Sequence, residues 1–424
     1  MGILKKKKGV VEMVEVGSRP QVSIVRCPLE ARQEEVTARL RQAIDLLGGM
    51  PEAIRSARGI VVKPNYVGIM FRRSVDEVAM YQGRHAHCTE PAVTEATVAL
   101  IREANPTATI YVGDGLDRVD GGPSADELFH FMGADRLAER YGARVLDLND
   151  GETVRVPVSD GLVTRWLWVR REVAEADTFV SVAKLKCHQT AGITLTTKNM
   201  FGLLPRRHYG SVNRGFMHQN GVRLMRMFVD INATFRQSLS IVDGIVGTNH
   251  GMDGPGYPAG VLLAGTNHVA TDAVAARLMG LDPTVTFPHA PFLISENHIL
   301  LAHQRGLGPV ALAEIDQRGE PLSAFDFHFE THPEEGYTSA KAAEVLQAAR
   351  AQAQLYHAGG LRDTLLETHR GQFVFLVDGQ VKAAAPTIAA AQELDYFDDG
   401  VGYGYAVQVL PPDEQVEQPA AYSI

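Results

Sequence analysis

The feature that most constrains this chain is a sustained alternation of short apolar runs with segments of helical spacing, beginning at Gln21 and continuing to Gly280. QVSIVRC (21–27), GIVVKPNYV (59–67), TIYVGDG (109–115), ARVLDLND (143–150), the run opening at Thr178, LSIVDGIVG (239–247) and GVLLAG (260–265) are rich in Val and Ile and read as strands. Between them, residues 29–47, 89–104, 124–141, 222–235 and 268–280 repeat their apolar positions at helical intervals. Strands that alternate with helices bury both of their faces in a mostly parallel sheet joined by right-handed crossovers. The expectation is therefore an α/β fold: a mostly parallel sheet with helices on both faces. Residues 154–169 break the rhythm and predict a hairpin turning at Ser159-Asp160-Gly161.

After Pro309 the pattern changes. Residues 338–356 predict a strong helix and 361–369 a second one. GQFVFLVDGQVKAAAP then alternates around Asp378-Gly379, followed by a helical stretch at 387–394 and the run YGYAVQVL, which together predict a small C-terminal ββαβ module. The expected division is an N-terminal extension at 1–20, an α/β domain at 21–335, and a helical linker with the small module at 336–424.

Polar residues fall at the ends of the predicted strands. Lys63 and Asn65, Asp114, Asp147 and Asn149, residues 184–188, Asp243, and residues 266–268 all follow an apolar run, and open α/β sheets bind ligands outside the carboxyl ends of their strands. One crevice is expected to collect them. Its centre is SVAKLKCHQTAGITLTTKNMFGLLP (181–205), in which Lys184, Lys186, Cys187, His188, Lys198 and Asn199 alternate with Val, Leu, Ile and Phe. A buried lysine must find an anion or shift its pKa. Lys63, Lys184, Lys186 and Lys198, beside Asn65 and Asn199, make an anion pocket suited to phosphate or carboxylate; the alternative is a desolvated amine acting as a base or forming a Schiff base.

Asp114, Asp243 and Asp272 either neutralise those lysines or hold a divalent metal, for which oxygen ligands favour Mg²⁺. His85, His87 and Cys88 in RHAHC form a second candidate set, able to face one side of an extended segment toward Zn²⁺ or Fe²⁺, with His208, His218, His250 and His268 elsewhere; the other reading is a polar loop covering the crevice. GTNHGMDGPG (247–256) is a glycine-rich loop suited to close backbone approach or to a lid. VGDG lacks the spacing of a dinucleotide fingerprint.

Composition sets limits. The chain has 424 residues, 45% hydrophobic and 21% charged, with a net charge of -9, so no basic surplus points to nucleic acid or an anionic membrane. No apolar run approaches the about 20 residues of a spanning helix. Three separated cysteines, Cys27, Cys88 and Cys187, argue for a reducing, cytoplasmic setting and cannot hold a four-cysteine iron–sulfur cluster within one chain.

The blocks VVKPN, VGDG, AKLKCHQTAGITLTTKNMFGLLP, IVDGIVG with its Gly-Pro-Gly loop, and ATDAVAARLMGLDP, in this order, resemble domain-of-unknown-function family 362, whose members are often labelled uncharacterised iron–sulfur centre proteins. The resemblance implies an α/β domain in which Lys63, Asn65, Asp114, Lys186, His188, Lys198, Asn199, Asp243 and Asp272 fall in the family's motifs, with no settled activity. The chain departs from many relatives in lacking their cysteine-rich insert or tail, and Cys187 stands where relatives often carry Thr. The leading expectation is an enzyme that binds a small anionic molecule, with Lys186, Lys198 and Lys63 as anion ligands, His188 as general acid or base, and Asp243 and Asp272 orienting cations or a metal. The alternatives are a redox protein working with an external iron–sulfur or flavin partner, and a non-catalytic scaffold whose C-terminal module drives homo-oligomer formation.

Overall fold

Eight strands build the main sheet of the computed structural model: β1 (Gln21–Arg26), β2 (Gly59–Pro64), β3 (Thr109–Asp114), β4 (Arg144–Asp147), β5 (Thr178–His188), β6 (Gln237–Thr248), β7 (Val261–Gly265) and β8 (Asp316–Gly319). The structure describes residues 19–69, 72–116, 121–210, 223–249, 251, 254–332, 338–392 and 404–417. Most of the expected N-terminal extension, His218 and His250 lie outside the described residues. The strand order is β8-β1-β7-β6-β5-β2-β3-β4, with the short strands Gly192–Ile193 and Gly256–Tyr257 pairing to the ends of β5 and β6. All neighbours along this order are parallel except β7, which runs antiparallel to both β1 and β6.

The expected layers are present. On one face α1 (Gln33–Leu46) and α2 (Pro91–Ala104) pack Val36, Leu40, Val93 and Ala96 against Ile60, Val62, Val180, Val182 and Ile241. On the other, α3 (Leu195–Asn199), α4 (Leu224–Thr234) and α5 (His268–Leu278) cover the remaining side chains, so that Phe228, Ile231 and Phe235 meet Val61 and Phe179, and Val269 and Ala273 meet Val242 and Leu263. β5 lies near the middle of the sheet and is buried along all but its last residue, so its polar side chains Ser181, Lys184 and Lys186 are buried with its apolar ones.

Residues 124–141 form two helices, Ala125–Phe131 and Ala134–Tyr141, where the sequence predicts one. Gly133, at a φ of 84°, turns the chain between them, in a region that a residue with a Cβ rarely enters. Residues 154–169 form the expected hairpin, Thr153–Pro157 against Trp166–Arg170. The C-terminal module is a three-stranded antiparallel sheet, β9 (Phe373–Val377), β10 (Gln380–Ala385) and β11 (Tyr405–Gln408), with a short helix Ile388–Gln392. Its Val374, Leu376 and Val407 share one apolar cluster with Leu167 of the hairpin, Phe228 of α4, and Ala349 and Ala353 of α6 (Ser339–Ala358). Among the described residues no helix is long and apolar enough to cross a membrane.

Candidate functional site

Alternation along β5 decides where its cations go. Successive side chains leave a strand on opposite faces, and Ser181 sits beside Lys63 while Lys184 sits beside Asp243. Ser181 and Lys63 belong to the face covered by α3: the Asn199 side-chain amide donates to the Lys63 carbonyl at 2.7 Å and to Ser181 Oγ at 3.0 Å. Lys184 leaves on the opposite face, beneath the start of α2. The two sites are therefore divided by the sheet itself.

On the α3 face Lys63 Nζ lies 2.8 Å from Asp114 Oδ1 and donates to the Pro64 carbonyl at 2.6 Å. Asp114 also accepts the backbone N–H groups of Tyr66 and Gly115, at 2.9 and 2.8 Å. Gly202 closes over the pair: a Cβ there would collide with Asp114 Oδ1 and come within 2.8 Å of Lys63 Nζ. On the α2 face Lys184 Nζ donates to Asp243 Oδ2 at 2.9 Å, with both side chains wholly buried, and the Glu90 backbone N–H reaches the same oxygen at 2.7 Å. Glu90 carries this network outward to Arg84 at 3.2 Å, and burial raises the pKa of its carboxyl. Each of these lysines has a carboxylate partner, and removing either partner would strand a charge in a low-dielectric interior.

Lys186 is the exception. Its Nζ is buried and donates to three neutral oxygens: the Gly251 carbonyl at 2.9 Å, the His87 carbonyl at 3.0 Å and Asn65 Oδ1 at 3.4 Å. No carboxylate among the described residues lies within ion-pair distance of it. Burial first, then the nearby Lys198 ammonium, pushes its pKa down to about 7. Lys198 is half-buried, with its Nζ 5.9 Å from the centre of the Phe228 ring. His188, also half-buried, accepts the backbone N–H groups of Thr190 and Ala191 at Nδ1, at 3.1 and 3.2 Å. That places the imidazole hydrogen of the neutral ring on Nε2. The general acid or base role expected for His188 narrows accordingly: the ring presents a donor, and taking up a second proton means giving up both amide bonds.

Asp114, Asp243 and Asp272, expected either to neutralise the lysines or to hold a divalent metal, do not converge on one point. Asp114 and Asp243 sit with their lysines in the two separated networks. Asp272 accepts the N–H groups of Thr196 and Thr197, each at 2.8 Å, and the Thr196 hydroxyl at 2.6 Å, fastening the start of α3; burial raises its pKa to about 6. Among the described residues no group of three or more His, Cys, Asp or Glu side chains could hold a metal ion, so His85, His87 and Cys88 are not gathered into a ligand set. His85 instead packs edge-on against Phe131, its pKa lowered to about 4 by burial and by Lys184.

Residues 266–268 are also displaced from the expected crevice. Because β7 is antiparallel, its carboxyl end lies at the opposite edge, where the Thr266 backbone bonds to Gln21 and Asn267 caps α5. The residues that sequence reasoning missed are Arg84, Glu90 and Gly202. Glu90 stands just before a helix-initiating Pro91 and looks like a solvated first-turn acid; only the crossing of α2 over β5 and β6 buries it.

A thylakoid-associated protein of Synechocystis sp. is 26% identical over 251 residues, covering 58% of this chain and 70% of that protein. The lactate racemase apoprotein of Thermoanaerobacterium thermosaccharolyticum matches 62% of this chain and 57% of its own at 12% identity, with a TM-score of 0.33, a loose likeness in which this chain spans little more than half of its counterpart. The family model for the domain of unknown function DUF362 matches residues 60–277, a span that includes Lys63, Asp114, Lys184, Lys186, Lys198, Asp243 and Asp272. Matched over more than half its length and through every lysine of the site, the chain belongs to the DUF362 family.

Proposed function

We propose that the chain is an enzyme that binds a small molecule bearing a phosphate or carboxylate at the carboxyl edge of β5, against Lys186, Lys198 and the Nε2–H of His188. The observation that carries this reading is the contrast among the buried lysines: Lys63 and Lys184 each have a carboxylate, whereas Lys186 is held by neutral oxygens alone among the described residues. A buried ammonium compensated only by dipoles favours an incoming anion. Lys63 and Asp114, Lys184 and Asp243, and Asn199 then act as the framework that fixes the edge. An amine whose pKa is near 7 exchanges a proton readily at neutral pH, the property needed for general acid–base work on a bound anion. Cys27, Cys88 and Cys187 are buried and none forms a disulfide among the described residues, which supports the cytoplasmic reading.

Calorimetric titration of the full chain with inorganic phosphate, pyrophosphate and malonate tests the proposal. At least one should bind at pH 6.5, more weakly as the pH rises above 7 and Lys186 loses its proton. Lys186→Gln and Lys198→Ala should each weaken binding by about tenfold or more, the loss expected for a charge-assisted contact. Undiminished binding by both variants, with the fold intact by circular dichroism, would overturn it.

A further inference from the structure

A second site lies away from the sheet edge. Between the hairpin, α4 and the C-terminal sheet is a cavity of about 360 Å³, walled by Trp168, His208, Tyr209, Met227, Phe373 and Ile388 among others. Its position, where the C-terminal module meets the main body, is typical of small-molecule sites. Trp168 and His208 are stacked with ring centres 4.3 Å apart and planes within 5°, so each covers one face of the other and the pair offers a ligand its outer ring face and its ring edges as an apolar wall. That wall is held from outside: the Arg155 guanidinium lies 5.5 Å from the Trp168 ring, and Thr153 Oγ1 is 2.9 Å from His208 Nε2.

Tyr209 and Arg207 bring polar groups to the lining. The buried Tyr209 hydroxyl accepts the Trp168 backbone N–H at 2.7 Å, while its own O–H has no acceptor among the described residues. Arg207, exposed at the rim, donates to the Gly151 carbonyl and to Thr153 Oγ1 and has no carboxylate within ion-pair distance among the described residues. The one carboxylate of the lining, Glu417, is already bonded to Arg223 and Tyr405. His208 is uncharged at neutral pH, since burial and Arg207 lower its pKa to about 4. The open chemistry is therefore a flat apolar wall, a hydroxyl donor and one cation at the mouth.

We propose that this cavity binds a flat aromatic carboxylate, its ring against the Trp168–His208 wall and its carboxylate toward Arg207. This site is independent of the lysine-lined edge. The chain's two tryptophans, Trp166 and Trp168, both lie on the hairpin, so intrinsic fluorescence reports on the site directly.

The test is titration of the full chain with 4-nitrobenzoate at neutral pH, followed by tryptophan quenching and by calorimetry. Saturable binding is expected, about tenfold weaker for the uncharged 4-nitrobenzamide and for Arg207→Ala, because each removes one side of a charge-assisted contact. Ile388→Phe, which narrows the cavity, should weaken binding while Lys186→Gln leaves it unchanged. The absence of saturable binding to wild type, or binding indifferent to both Arg207→Ala and Ile388→Phe, would overturn the proposal.

Discussion

Lys186 Nζ and the Gly251 carbonyl are joined by a 2.9 Å hydrogen bond, which ties the central strand to the glycine-rich loop after β6. The same ammonium holds the His87 carbonyl at 3.0 Å, so one side chain fastens two loops over the sheet edge. Lys186→Met keeps the bulk of the stem and removes all three donors. Amides of residues 82–90 and 254–257 should then exchange with solvent about tenfold faster while those of β2 and β5 are unchanged, as read by hydrogen–deuterium exchange mass spectrometry. Unchanged protection in both loops would show that the contacts do not restrain them.

The wholly buried Lys184–Asp243 pair should be costly to break and much cheaper to replace. Asp243→Ala leaves the Lys184 ammonium and the Glu90 N–H without their acceptor, and a loss of about 3–5 kcal/mol is expected. The double variant Lys184→Met/Asp243→Leu should recover most of it. Urea unfolding of the three proteins measures both values, and a double variant no more stable than Asp243→Ala would mean that the pair does more than cancel its own charges.

Acid should destabilise the fold between about pH 6.5 and pH 4. Burial lowers the pKa of His85, His208, His268 and His357 to about 4 and that of His298 to about 3. Unfolding returns each ring to its ordinary value near 6.5, so the unfolded chain binds more protons in this window and stability falls with pH. Asp272, raised to about 6, acts in the opposite sense, as do Glu90 and Asp230, which burial also raises: their contributions are present at low pH and lost as the pH rises through their raised values. The five imidazoles outnumber these three carboxyls. Urea midpoints should drop from pH 7 to pH 4.5, and a midpoint that climbs on acidification would contradict the assignment.

His188 should appear in nitrogen NMR as the neutral Nε2–H tautomer, with Nδ1 showing the shift of a hydrogen-bonded acceptor. Both amide bonds depend on that tautomer, so the Thr190 and Ala191 amide signals should report on the same state of the ring. A ring protonated on Nδ1 rather than on Nε2 would contradict the assignment.

Much of this was legible in the chain. The alternation of Val- and Ile-rich runs with helical segments predicts the layered α/β sheet, because periods of 2 and 3.6 report which side of an element is buried. The Asp378-Gly379 turn and the alternation around it likewise announce the β9–β10 hairpin. The blocks from VVKPN to ATDAVAARLMGLDP place the chain in its family, as the match over residues 60–277 bears out.

The sequence by itself thus determined most of the strands and helices, though neither β8 nor the break at Gly133, together with which of their faces are apolar and which residues stand at strand ends. It did not determine direction, neighbours or partners. An apolar strand reads the same whichever way it runs, so only the assembled sheet shows that β7 is reversed and that residues 266–268 belong to the far edge. Nor does a lysine's position in the chain say which carboxylate reaches it: Lys63 with Asp114 and Lys184 with Asp243 are brought together by strand order, on opposite faces because a strand alternates. Lys186 is set apart for the same reason, since the tertiary structure supplies it with three neutral oxygens and a second cation nearby, and that environment gives one lysine among four its different chemistry.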